Sequence, residues 1–125
     1  MELINKNYQF PFEKLEIWQL ALKLSINTKK LIKTFPKEER YGLVDQMRRS
    51  SSSVCSNIAE GSVRKKTNDK ARFIEIAFGS LMEFMSQSIE SNEAEFISSN
   101  QLVEIRIHVH ELSNKINAFY NKLAK

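Results

Sequence analysis

Apolar residues recur along this chain at spacings of three and four in four separate stretches. That pattern predicts four amphipathic helices and no strand. In the first, about Phe12 to Phe35, Leu15, Trp18, Leu22 and Ile26 form one stripe. Ile17, Ala21, Leu24, Leu31 and Phe35 form a neighbouring one. Pro36 ends this helix, because proline biases the residue before it away from helical ψ. The sequence PKEER follows as a connection that can itself turn helically. The second stretch runs from about Tyr41 to Glu60 and carries Leu43, Met47, Val54 and Ile58 on one face. Gly61 stands where a left-handed residue would close it.

Beyond the basic loop SVRKK, Thr67 or Asn68 can cap a third helix, about Asp69 to Ser91. Phe73, Ala77, Leu81, Phe84 and Met85 face one way, and Ile74, Phe78, Met82 and Ile89 widen the apolar arc beyond half the circumference. A small bundle needs a narrower arc, so burial on two sides is expected. The fourth helix opens on a capping box, Ser98 to Gln101. Leu102, Ile105, Val109, Leu112, Ile116, Phe119 and Leu123 then alternate steps of three and four, a seam suited to antiparallel packing. Val103 and Ile107 lie almost opposite that seam and point to a subunit contact. With short connections, the expectation is an all-α, antiparallel up-down-up-down four-helix bundle over residues 12–124, preceded by an extension over residues 1–11.

The second helix conflicts with its own residue types. Gln46 to Gly61 reads QMRRSSSSVCSNIAEG and holds five serines, each roughly 0.5 kcal/mol worse than alanine in a helix. Packing must therefore impose the helix. With Met47 at the centre of the buried face, Asp45, Arg49, Ser52, Ser56 and Glu60 fall opposite, flanked by Arg48, Cys55 and Ala59. An outer face this small, where lysine or glutamate would serve better in water, suits close approach of a neighbour. Ser52, Ser56, Phe78, Met82, Val103 and Ile107 are thus the candidate subunit-interface residues. The plainer alternative is chance tolerance of serine and an i,i+4 ion pair between Asp45 and Arg49.

Composition narrows the function. The chain has 125 residues, room for one domain. No apolar run reaches the roughly 20 residues of a membrane span, and the first ten residues lack the plan of a secretory signal. Cys55 is the sole cysteine, so neither an internal disulfide nor zinc-finger spacing is available. A cytoplasmic protein is the simplest reading. His108 and His110 project about 200° apart on a helix and cannot chelate one ion. The serine run has no GxSxG elbow, no Glu-x-x-His pair suggests a di-iron site, and no glycine-rich loop suggests phosphate binding. No catalytic, cofactor or metal residue is assigned.

Charge is uneven. Residues 1–72 carry 15 Lys+Arg against 8 Asp+Glu, and residues 73–125 carry 4 against 7. Arg40, Arg48, Arg49, Arg64, Lys65 and Lys66 are the candidate nucleic-acid contacts, meeting phosphates rather than reading bases. No aromatic is interleaved with them, so base stacking is not expected. Assembly of n copies would multiply the net charge of +4 and strengthen a weak patch.

Three blocks carry a resemblance: FEKLEIWQLALKL, FPKEERYGLVDQMRRSSSSVCSNIAEG and FIEIAFGSLMEF. In order and spacing they resemble the bacterial four-helix bundle family of 23S rRNA intervening-sequence proteins, from about Phe12 to Leu123. The middle block is the most specific, with Tyr41-Gly42-Leu43, Gln46, Arg48-Arg49, Ser53 and Asn57 to Gly61. The resemblance implies an all-α bundle assembled as a homopentamer, without enzymatic activity. A related branch is the accessory protein of diversity-generating retroelements, which binds its reverse transcriptase and nucleic acid through basic surface residues. Two expectations follow: a homo-oligomer that binds RNA or DNA, or an adaptor that docks a protein such as a reverse transcriptase.

Overall fold

The computed structural model describes residues 7–123. The expected extension is therefore described only from Asn7 onward; its first six residues, and the end of the expected domain at residue 124, lie outside the described residues. Four helices make up the fold: α1 Glu16–Leu31, α2 Leu43–Ser62, α3 Thr67–Glu93 and α4 Ser99–Leu123. Each packs on the next, and α4 returns to α1, so the four surround one core. Met47, Val54, Ile58, Ile74, Leu81, Phe84, Leu112 and Ile116 fill its centre.

The ends of the helices correct the sequence reading in several places. Pro11–Lys14 form a separate 3-10 turn, and Leu15 is extended (φ −75°, ψ 125°), so α1 starts at Glu16 rather than Phe12. Proline suits such a first turn, where its missing N–H has no partner to lose. The other end tightens into a 3-10 turn over Ile32–Thr34 before Phe35 goes extended ahead of Pro36. Of the two α1 stripes, Ile17, Ala21 and Leu24 are buried, while Leu22 and Ile26 are 39% and 42% exposed.

Gly61 is not a left-handed cap. It lies inside α2, buried, and no glycine among the described residues has positive φ. A Cβ there would stand 3.0 Å from the Phe73 Cβ and 3.4 Å from the Lys70 carbonyl oxygen. Glycine is needed because α3 passes so close. Neither Thr67 nor Asn68 caps α3; Lys66 holds that place and offers no side-chain acceptor. The capping box of α4 is as read: Ser98 N–H donates to Gln101 Oε1 (2.8 Å), and Gln101 N–H donates to Ser98 Oγ (3.1 Å). The left-handed residue at a helix end is Glu95 (φ 66°), after which Phe96 N–H returns to the Ser91 carbonyl.

Ser50 to Ser53 of α2 turn inward, wholly or in part. Ser50 and Ser51 are buried. Ser50 Oγ donates to Gln87 Oε1 at 2.7 Å. Ser53 and Ser80 share a hydrogen bond of 2.8 Å, and Ser91 Oγ approaches Met47 Sδ at 3.4 Å. Asn57 Nδ2 donates to the Ser53 carbonyl at 2.8 Å. These contacts run in opposite order along α2 and α3, so the pair is antiparallel. The small side chains let α3 approach, and the polar groups that would otherwise be stranded find partners. This is the packing that holds a poor helix former in a helix. The wide arc of α3 is likewise used mostly within the chain, since α2 covers one flank and α4 the other.

Candidate nucleic-acid interface

The six basic candidates separate into two groups. Arg40, Arg48 and Arg49 stand at the N-terminal end of α2; Arg64, Lys65 and Lys66 follow its C-terminal end. Fifteen residues separate Arg49 from Arg64, about 22 Å at 1.5 Å per residue. They do not form one patch.

Ion pairs distinguish the groups further. Asp45 is held by Arg48 (2.6 Å) and Arg49 (3.0 Å). The hydrogen bond from Arg48 holds its carboxyl below the usual range, with the Arg49 charge adding to that. Arg64 pairs with Glu60 at 3.2 Å and lies over the Phe73 ring at 4.6 Å. Lys65 and Lys66 are exposed and make no ion pair among the described residues. Exposed pairs of this kind are worth about 0–1 kcal/mol, so a phosphate can compete for every one of these arginines.

Sequence reasoning passed over what the fold adds to the first group. The C-terminal turns of α1 lead through Pro36–Gly42 straight into α2, placing Lys29, Lys30, Lys33 and Lys37 at the same end as Arg40, Arg48 and Arg49. Residues 29–49 carry 7 Lys+Arg against 3 Asp+Glu, a surplus equal to the whole net charge of +4. A sliding count of charge would have found it. One expectation is corrected here: an aromatic does stand among the basic candidates, because the Arg40 guanidinium lies 5.8 Å from the centre of the Tyr41 ring.

The candidate interface residues also divide. Ser52 is half-buried and shares a 3.3 Å hydrogen bond with Ser25 of α1, so its small size already serves contact inside the chain. Ser56 is exposed, its hydroxyl donating back to the Ser52 carbonyl at 3.1 Å. Phe78 is half-buried beside Ile116 and Tyr120 in one depression between α3 and α4. Met82 and Ile107 line another, and Val103 stands one turn before Ile107. Met82, Val103 and Ile107 are 38%, 53% and 66% exposed, so the structure gathers them into an uncovered apolar strip.

The remaining reactive groups are placed as follows. Burial pushes the Cys55 thiol up, against the pull of Lys29, which disfavours the thiolate a nucleophile needs. His108 faces α1 and His110 faces α3. Among the described residues no three His, Cys, Asp or Glu side chains gather as a metal site, and no helix is long and apolar enough to cross a membrane.

His108 Nε2 is buried without a hydrogen-bond partner. Burial lowers its pKa and Lys23 adds to the effect, while the Leu20 carbonyl and Glu111 oppose it. Folding therefore favours the neutral ring. That stability is fully present above the unfolded value near 6.5 and is lost as pH falls below it. Thermal melts are expected to give a lower midpoint at acidic than at neutral pH. In His108→Gln the difference should shrink; an unchanged difference would assign it to other groups.

No curated protein matches the chain. Among solved structures, a protein of unknown function from the S23 ribosomal protein family of Bacteroides thetaiotaomicron, determined at 1.70 Å, superposes with a TM-score of 0.77 at 19% identity. The match covers 83% of this chain and 97% of that one, and it shows a shared fold. The profile of the 23S rRNA-intervening sequence protein family matches residues 13–118, nearly the whole bundle and both basic groups. The chain belongs to the family of 23S rRNA-intervening sequence proteins.

Proposed function

We propose that this protein is a non-enzymatic, cytoplasmic homo-oligomer that binds RNA or DNA through its basic surface. The observation that carries the reading is the surplus of positive charge over residues 29–49, concentrated where α1 ends and α2 begins. Its arginines are exposed and tied only by weak ion pairs, which suits exchange onto phosphates. The uncovered strip of Met82, Val103 and Ile107 supports assembly, because a soluble surface gains nothing from an exposed apolar row of this kind. A subunit number of five rests on the family resemblance. Repeating the basic end around a ring would raise the local field in proportion.

A salt titration of RNA binding, run beside light scattering, tests both parts. The expected mass is several times 14.6 kDa, and the logarithm of the binding constant should fall linearly with that of salt, with a slope equivalent to several phosphates. A monomer at micromolar concentration would overturn the assembly. Absence of binding even at about 50 mM salt would overturn the nucleic-acid role. The same apolar strip favours a second reading, an adaptor that docks a protein such as a reverse transcriptase; an assembled protein that binds such a partner but no nucleic acid would select it.

A further inference from the structure

Tyr41 is 86% exposed, more than any other large apolar side chain described as exposed. It stands in the connection between α1 and α2, and its hydroxyl makes no hydrogen bond among the described residues. A single exposed aromatic is ordinary. Its surroundings are not. Beside it lies a shallow depression of about 410 Å³ with an apolar floor of Ile32, Phe35, Pro36 and Val44 and with Lys37 and Arg40 at its edge. Arg40 joins the two features, since it lines the depression and holds its guanidinium over the Tyr41 ring. Of the nearby carboxylates, Asp45 is held by Arg48 and Arg49, and Glu39 Oε1 accepts the Leu43 N–H at 3.2 Å, while the exposed Glu93 and Glu95 come to the same end with Phe96, whose ring lies 5.5 Å from that of Phe35. Glu38 is the exposed acid of the α1–α2 connection.

An open aromatic face, an apolar hollow and four cations make a poor site for a duplex. A duplex presents phosphates and keeps the faces of its bases stacked inside. They suit an unpaired strand, which offers both. Resting on the nucleic-acid reading above, we propose that this end of the bundle binds single-stranded RNA or DNA. One base stacks on Tyr41, a neighbouring base covers the floor of the depression, and Lys37, Arg40, Arg48 and Arg49 take the phosphates. Stacking tolerates any base, so the site prefers single strands without reading sequence.

The test measures fluorescence anisotropy of a labelled uridine or thymidine oligomer and of a duplex of equal length, with the full chain, Tyr41→Ala and Tyr41→Phe. Tyr41→Ala should weaken single-strand binding roughly 5- to 150-fold, the range for one base–aromatic stack. Duplex binding and the salt slope should stay unchanged, because no charge is altered, and Tyr41→Phe should restore affinity. Circular dichroism of Tyr41→Ala is expected to match the parent, since the ring supports no core contact. Single-strand affinity unchanged in Tyr41→Ala, or lost equally on duplex, would overturn the stacking site while leaving phosphate binding intact. No binding of either oligomer by the unaltered chain would overturn the nucleic-acid reading itself.

Discussion

Ser50→Leu is expected to destabilise the fold by about 2–6 kcal/mol, and in a domain of this size that approaches the whole margin. Two terms add. Ser50 is 3% exposed in the α2–α3 interface, so three extra carbons have no space and overpacking costs about 1–3 kcal/mol. Its hydroxyl also donates to Gln87 Oε1, and Gln87 is itself 7% exposed. Losing that donor leaves a buried amide oxygen unpaired, at about 1–3 kcal/mol. Urea denaturation would measure the sum, and Ser50→Ala separates the terms by removing the donor without adding bulk. If Ser50→Leu unfolds at the parent's urea midpoint, serine there is tolerated rather than required.

Reversing Lys37, Arg40, Arg48 and Arg49 to glutamate is expected to abolish nucleic-acid binding at physiological salt. On the proposed reading, each substitution would delete one phosphate contact and place an anion where the nucleic-acid backbone would pass. At about 0.7–0.9 per phosphate, the salt slope should drop by about 3 before binding becomes undetectable. The matched reversal of Arg64, Lys65 and Lys66 is expected to do less, because Arg64 is engaged by Glu60 and Phe73 and the loop lies about 22 Å from the larger surplus of charge. The four side chains are surface groups, so both variants should keep the helical content of the parent. Binding that survives the first reversal and fails in the second would move the interface to the other end of the bundle.

Periodicity read the core well. The a/d seam of α4 is buried or half-buried along its length, and its capping box is present. Such features depend on residues near one another in sequence. The misreadings depended on residues far apart. Gly61 looked like a terminator because glycine often ends helices, but Phe73 and Lys70 decide its role, and they belong to another helix. Ser52 looked outward on a helical wheel until Ser25 of α1 supplied a partner. The six basic residues looked like one set because spacing along α2 was ignored. The lysines of α1 were missed because their value lies in which end of the bundle they reach, a property of chain direction rather than of composition. Tyr41 was read as part of a family signature, and its exposure beside Arg40 became visible only with the fold.

The polar contacts between α2 and α3 have a mechanical consequence. Leucine and isoleucine seams can slide, since one apolar neighbour replaces another at little loss. The pairs Ser50–Gln87, Ser53–Ser80 and Ser91–Met47 cannot. A shift of one turn, about 5.4 Å, would break all of them at once and leave buried hydroxyls facing hydrocarbon. The α2–α3 pair therefore acts as a fixed strut with a single register. Arg48 and Arg49, carried on α2, are thereby held at a fixed height against α3.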